Sequence, residues 1–267
     1  LYEIVVWHSH HLFHAPHRGV TWALGDIERL RVLIGKPVVA HFRARDIASG
    51  GTGAPLIPNA DEQLFSDYET LINLGGIANI THLPTGIAYD ISPCNQLLNA
   101  LAKDLDPTLD YDPEGQFAKA GKWIASLSMI FEKHPHFTNA PPKSLDNITV
   151  KSDFIEPFLA YSASPQDKLH TATRLIAGKI LEALLHVKAR KYTLTGGGAY
   201  NSYLVSVLES LTHQEGIAFI PAPPQLVEYR ESIGFGFLGL LRWLGHTNTY
   251  GKWTGAKQAH SSGSLSL

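Results

Sequence analysis

The feature that most constrains this chain is its alternation of short apolar runs with stretches of helical periodicity. Residues 4–7, 37–42, 70–74, 78–81, 86–90, 192–195 and 217–220 read as strands. Between them, residues 26–34, the turns carrying Leu97, Leu98, Leu101 and Leu105, and residues 171–190, 201–211 and 228–244 read as helices. Leu175, Ala177, Ile180, Leu181, Leu184 and Val187 share one face of the longest. Strands separated by helices of this length define an α/β class with a largely parallel sheet, and the first two strands with their helix form a β-α-β unit. Residues 107–147 are looser and rich in Pro, Asp and Lys, and the Ser/Gly tail is expected to fray.

Composition narrows the function classes. The chain has 267 residues, 44% hydrophobic and 17% charged, enough for a substantial core. A formal net charge of -2 gives no general attraction to nucleic acid or anionic membrane. The lone Cys94 excludes an internal disulfide. The apolar run at 233–241 is too short to span a bilayer, and no signal peptide is visible. These features direct the chain to the cytoplasm. It opens on Leu1 in strand-like sequence from Tyr2, and Met129 is its single methionine, which is expected of a piece of a longer protein.

Several segments carry chemistry. In INLGGIANIT (72–81), Gly75 and Gly76 separate two strands, so backbone amides can approach a phosphate; a plain hairpin turn has the same pattern. In LTGGGAYNSYL (194–204), a strand runs through Gly196, Gly197 and Gly198 into a helix that Asn201 can cap. Open α/β sheets bind ligands at such strand ends, although a tight strand-to-helix connection is the simpler reading. Asp90, in DISPCN (90–95), is either a general base at a strand end or the cap of the next helix. Arg43, Arg45 and Asp46 precede a flexible glycine loop at 49–53, a set suited to binding a carboxylate or phosphate, or to a surface ion pair. Glu231 opens an apolar helix, where a first-turn Glu also suits the helix dipole. His8, His10, His11, His14 and His17 cluster, but Pro16 and the preceding strand argue against the helix that zinc ligation at 10 and 14 requires. No metal ligand is assigned.

The order of these segments is more specific than any one of them. FRARDIASGGTGAPLIP (42–58), INLGGIANIT, DISPCN, APPKSL (140–145), LTGGGAYNSYL, the Glu-led helix and TGA (254–256) together resemble the anhydro-N-acetylmuramic acid kinase family, over about residues 9–256. The resemblance implies an actin-like ATPase (ribonuclease H-like) fold of two lobes, with nucleotide and sugar in the cleft between them. It divides this chain into an N-terminal lobe remnant at 1–46, a C-terminal lobe at 47–246 and a returning tail at 247–267. It implies an enzyme that uses ATP, Mg2+ and water to convert 1,6-anhydro-N-acetylmuramic acid to N-acetylmuramic acid 6-phosphate in peptidoglycan recycling. A homodimer is expected.

The same resemblance assigns Asp90 as the base that deprotonates the attacking water and Glu231 as a second carboxylate that positions it. Arg43 is assigned to the sugar, with Asp46 nearby. Gly75, Gly76 and Asn79 match the second phosphate hairpin, and Gly196, Gly197 and Gly198 the adenosine-side loop. Three departures accompany it. The family's opening Gly-Thr-Ser-Leu-Asp-Gly-type loop has its place before Leu1. Ser9-His10-His11-Leu12-Phe13-His14 stands where the family has Ser-His-Gly-Gln-Thr. Asp90-Ile91-Ser92-Pro93-Cys94-Asn95 replaces both glycines of Asp-Thr-Gly-Pro-Gly-Asn. They leave open the alternative of a catalytically impaired sugar- or nucleotide-binding homologue.

Overall fold

The structure, a computed structural model, describes residues 3–267; Tyr2, at the head of the first expected strand, lies outside them. The chain forms two compact units. One holds the chain up to Asp67 together with Tyr229–Leu267, and the other holds Tyr68–Glu228. The first unit therefore takes in residues 47–67 and 229–246, which the resemblance grouped with the larger lobe.

The first unit opens with β1 (Val5–Val6), a hairpin of β2 (His11–Ala15) and β3 (Val20–Ala23), then α1 (Ile27–Ile34) and β4 (Val38–Ala40). Asp26 starts α1 by accepting from the amides of Glu28 (2.8 Å) and Arg29 (3.2 Å). Gly35, at φ 69°, ends it. β4 is fully buried and pairs parallel with β1, which gives the expected β-α-β unit. The hairpin was not legible, because its histidines mask the strand pattern. His41, at φ 55°, then turns the chain directly from β4 into α2 (Phe42–Ala48), where a strand end and a loop were expected. α3 (Pro58–Leu64) follows.

The second unit carries β5 (Thr70–Leu74), β6 (Ile77–His82), β7 (Ile87–Pro93), α4 (Asn95–Leu105), α5 (Pro165–His186), β8 (Lys191–Thr195), α6 (Ser202–Gln214) and β9 (Ala218–Phe219). Its five-stranded sheet has the order β7-β6-β5-β8-β9. β5, β8 and β9 are parallel, whereas β5-β6-β7 is an antiparallel meander, so the sheet is mixed rather than largely parallel. The cause is connection length: Gly75-Gly76 and residues 83–86 are too short for a parallel crossover. Short helices occupy the looser region, and Leu127 and Phe131 from one of them join the main core. That core packs Ile72, Leu74 and Ile80 of the sheet against Leu97 and Leu101 of α4 and Ile176 and Ile180 of α5.

α7 (Pro224–Trp243) begins in the second unit and continues into the first. There Phe235 and Leu238 pack with Val39, Phe42, Leu56 and Ala60. The Ser/Gly tail is not frayed. β10 (Ser264–Ser266) pairs antiparallel with β4, and Ser262 and Ser266 are buried. A central strand needs partners on both edges, and a polar strand supplies backbone groups as well as an apolar one does. Asn248 fixes the tail by donating to the carbonyls of Leu238 (2.8 Å) and Ser262 (2.9 Å) and accepting from the Ser262 amide (2.6 Å).

Arg230 on α7 forms a two-point ion pair with Asp61 on α3, with Nε 3.0 Å from Oδ1. The Asp61 side chain is 0% exposed and that of Arg230 8%. Removing one partner strands a buried charge. Arg230→Met is therefore expected to lower unfolding stability by about 3–5 kcal/mol, measured by urea denaturation, and Arg230→Met with Asp61→Asn is expected to recover part of the loss.

Candidate functional site

The second unit brings its two glycine turns together. β5 and β8 run parallel in the register Leu71↔Thr193, Ile72↔Leu194 and Asn73↔Thr195, so their carboxyl ends lie side by side. Gly75-Gly76 leaves one end and Gly196–Gly198 the other. The contact is close: a Cβ on Gly196, which has φ 81°, would lie 2.6 Å from Asn73 Oδ1, and one on Gly198 2.7 Å from Leu74 Cβ. Only glycine fits at these two positions. Asn95 at the head of α4 knits the turns by donating through Nδ2 to the Leu74 carbonyl (2.9 Å) and through its amide to the Gly75 carbonyl (3.0 Å). Asn201 caps α6 by accepting from the Leu204 amide (3.0 Å), as its position after the glycines predicts. Backbone-lined turns at adjoining strand ends suit a phosphate chain.

Asp90 lies within β7, opposite Asn79 of β6, beside a bulge at Ile91. The Cys94 position, not Asp90, stands at the start of α4, so the capping reading fails. Bulges re-aim side chains and recur beside active sites. The Asp90 carboxylate accepts from the Leu145 amide (3.0 Å), and the Asp90 amide donates to the Lys143 carbonyl (3.1 Å). Burial raises its pKa from 3.8 to about 6, against the opposing pull of the Leu145 hydrogen bond. A carboxylate with this pKa is ionised at neutral pH yet basic enough to take a proton.

The first unit gathers a separate set. Arg43, in the first turn of α2, donates through Nη1 to the Gly53 carbonyl (2.7 Å), and its Nη2 lies 3.5 Å from His8 Nε2. The His8 ring stacks on Phe235, with centroids 3.7 Å apart. Burial lowers the Arg43 pKa, and the nearby Glu231 carboxylate opposes that shift. Partial desolvation, then the Arg43 charge, lower that of His14. Glu231 lies well inside α7, because that helix starts at Pro224; it is not a first-turn residue. Asp46 is 0% exposed, accepts from the Gly53 amide (2.7 Å) and Thr254 Oγ1 (2.7 Å), and lies 3.5 Å from His260 Nε2. It holds the loop whose Gly53 carbonyl binds Arg43.

The sequence-derived residues thus fall into two sets. Asn79, Asp90 and the five glycines lie in the second unit, and Arg43, Asp46 and Glu231 in the first. Sequence reasoning gave no role to Asn95, Lys143, Leu145 or His8. The segment APPKSL was the available signal for Lys143 and Leu145. Of the histidine cluster, His14 lies on β2 and His17 in the turn after it, while the His11 side chain lies outside what is described. Among the described residues there is no group of three or more His, Cys, Asp or Glu able to hold a metal ion, and no helix long and apolar enough to cross a membrane.

Within the second unit, glycine turns at adjoining strand ends and a carboxylate whose pKa is raised form an arrangement suited to phosphate chemistry. The model of the anhydro-N-acetylmuramic acid kinase family matches residues 2–267. A protein of that name from Xylella fastidiosa is 32% identical over 97% of this chain and 70% of its own length. Another, from Salinibacter ruber, is 34% identical over 76% of this chain, which spans only 54% of it. Among solved structures, the activator of the 2-hydroxyisocaproyl-CoA dehydratase from Clostridium difficile with bound ADPNP is 15% identical, with a TM-score of 0.46 over 82% of this chain and 83% of that one. The chain belongs to the anhydro-N-acetylmuramic acid kinase family.

Because the folded-state pKa of Asp90 exceeds its unfolded value of 3.8, the folded protein holds this proton more tightly. The associated stability is complete below about pH 4 and is lost as pH rises through about 6. Asp90→Asn is expected to match the parent below pH 4 and to exceed it above pH 7 by up to about 3 kcal/mol, read from urea midpoints across that range.

Proposed function

We propose that this chain carries the working residues of an ATP-dependent kinase that opens 1,6-anhydro-N-acetylmuramic acid with water and phosphorylates the freed oxygen, giving N-acetylmuramic acid 6-phosphate for peptidoglycan recycling. The observation that carries this reading is Asp90, set beside the bulge in β7 with a pKa of about 6 and a backbone donor on its carboxylate.

Asp90 takes a proton from water as the water oxygen bonds to the anomeric carbon and the bond from that carbon to the bridging oxygen breaks. The bridging oxygen, now O6, bonds to the γ-phosphorus of ATP, and the bond to ADP breaks. Glu231 orients the water, and Arg43 binds the lactyl carboxylate of the sugar as a charge-assisted pair. Asp46 acts through the loop that fixes Arg43 by way of Gly53. Gly75, Gly76 and Asn79 receive the phosphates, and Gly196, Gly197 and Gly198 the adenosine side. Mg2+ binds phosphate oxygens and water with few protein ligands, and the Asn95 side-chain oxygen beside the glycine turns is an oxygen donor of the right hardness. Bound there, it would supply neutralisation of charge on the transferring phosphoryl group. The cytoplasm, where ATP is available, is the proposed compartment.

The test follows ADP release with ATP, Mg2+ and the anhydrosugar, alongside phosphorus NMR of the product. Activity is expected to rise with pH through an apparent pKa near 6. Asp90→Asn is expected to lose about 10²–10⁴-fold in kcat. Full activity in that variant would remove Asp90 from the chemistry.

Gly198→Ala drives a methyl to within 2.9 Å of the Leu74 carbonyl oxygen. It is expected to weaken ATP binding in calorimetry while leaving anhydrosugar binding intact. Equal loss of both would show that the turn is only structural.

A further inference from the structure

We propose that the cavity behind β7 is a second anion site, that it takes a small phosphate monoester, and that its occupancy is transmitted to Asp90. The cavity has a volume of about 290 Å³, and its lining includes Tyr89, Ile91, Lys143, Lys179, Glu182 and His186. Alternation along β7 directs Tyr89 to the face opposite Asp90, so this space is distinct from the glycine turns.

The lining is built for an anion. Lys143 Nζ sits 5.6 Å above the Tyr89 ring and donates to the His136 carbonyl (2.8 Å). Lys179 Nζ sits 4.9 Å above the Phe137 ring and bonds both Glu182 oxygens (2.8 and 2.9 Å). The Lys179 side chain is only 12% exposed, whereas that of Glu182 is 61% exposed. Lys179 and Glu182 form a nearly neutral pair, so the Lys143 ammonium leaves the local charge positive. Burial, then repulsion from Lys179, lower the Lys143 pKa, and Glu182 opposes them. Burial pushes the Tyr89 phenol to about 12, so it keeps its proton and remains a donor. The imidazole of His186 lies edge-on to Tyr89, with centroids 6.4 Å apart. Two ammonium groups with a phenol and an imidazole match the oxygens of a phosphate dianion. The volume lies at the small end for ligand pockets, which suits a monosaccharide phosphate.

Coupling to Asp90 is direct. The Lys143 carbonyl accepts from the Asp90 amide, and two residues on, the Leu145 amide donates to the Asp90 carboxylate. An anion that draws Lys143 into the cavity shifts the donor that opposes the raised Asp90 pKa. This inference concerns ligand binding and titration, and it does not rest on the kinase reading.

The experiment titrates the full chain with glucose 6-phosphate and, separately, inorganic phosphate by calorimetry. The Asp90 carboxyl is followed by carbon NMR with and without saturating glucose 6-phosphate. Lys143→Met and Lys179→Met are each expected to weaken glucose 6-phosphate binding roughly 10- to 100-fold. Lys179→Arg is expected to stay within a few-fold, and its circular dichroism separates loss of charge from loss of fold. Gly198→Ala is expected to leave the binding unchanged, and the Asp90 titration to shift on saturation. Absence of saturable binding, or binding that survives both Lys→Met changes, would overturn the site. Loss in Gly198→Ala alone would place the anion in the glycine turns instead. Inorganic phosphate binding as tightly as glucose 6-phosphate would overturn the monoester assignment, and an unmoved Asp90 titration the coupling.

Discussion

The parallel pairing of β5 with β8 is the constraint on which the second unit depends. The strands are separated by more than a hundred residues, yet Asn73 pairs with Thr195 and both chains leave the sheet at the same end. A one-residue slip would turn Ile72, Leu74 and Leu194 out of the core, so burial fixes the register. With the register fixed, two glycine turns must share one corner, and any Cβ at Gly196 or Gly198 would collide with β5. The glycines that make the corner open to a ligand are the same ones that let the strands end together.

The position of Asp90 follows from the edges of that sheet. β7 is an edge strand, and its exposed backbone would be a liability if nothing covered it. Residues 143–145 run beside it, taking the Asp90 amide and returning the Leu145 amide to the carboxylate. The same cover that satisfies the edge removes water from the carboxyl. Burial raises the pKa, one hydrogen bond holds it back, and the balance falls near neutrality without help from a second buried charge.

The legible parts of the fold were those where local chemistry decides. INLGGIANIT read as strand, turn and strand because two glycines leave no other connection, and Asn201 read as a cap because it follows the glycine run at the head of a helical stretch. What stayed hidden was set by distant partners. Ser264–Ser266 is polar and becomes a strand only because β4 has an open edge. Glu231 looked like a helix opening because the apolar run starts there, whereas Pro224 sets the true start. The meander was misjudged because helical periodicity elsewhere suggested parallel crossovers. Roles for Arg43 and Asp90 came from the order of motifs; neither residue, taken alone, separates a binding group from an ordinary ion pair or cap.

Chain order also separates the two units energetically. The second unit is one continuous stretch, Tyr68–Glu228, and its core closes without either chain end. The first unit draws its three-stranded sheet from β1, β4 and β10, and its core from Phe42, Leu56 and Phe235. Those contacts close loops of about two hundred residues, and loop-closure entropy grows only with the logarithm of length once the ends meet. A core already formed at Tyr68–Glu228 shortens the effective loop, because an ordered insert contributes the distance between its ends and none of its own chain freedom. The interactions that tie the first unit are accordingly directional and buried: Asp61 with Arg230, Asp46 with Thr254, and Asn248 with the tail carbonyls. Each spends little apolar area and tolerates few alternatives, which is what a unit assembled from both chain ends requires to reach a single arrangement.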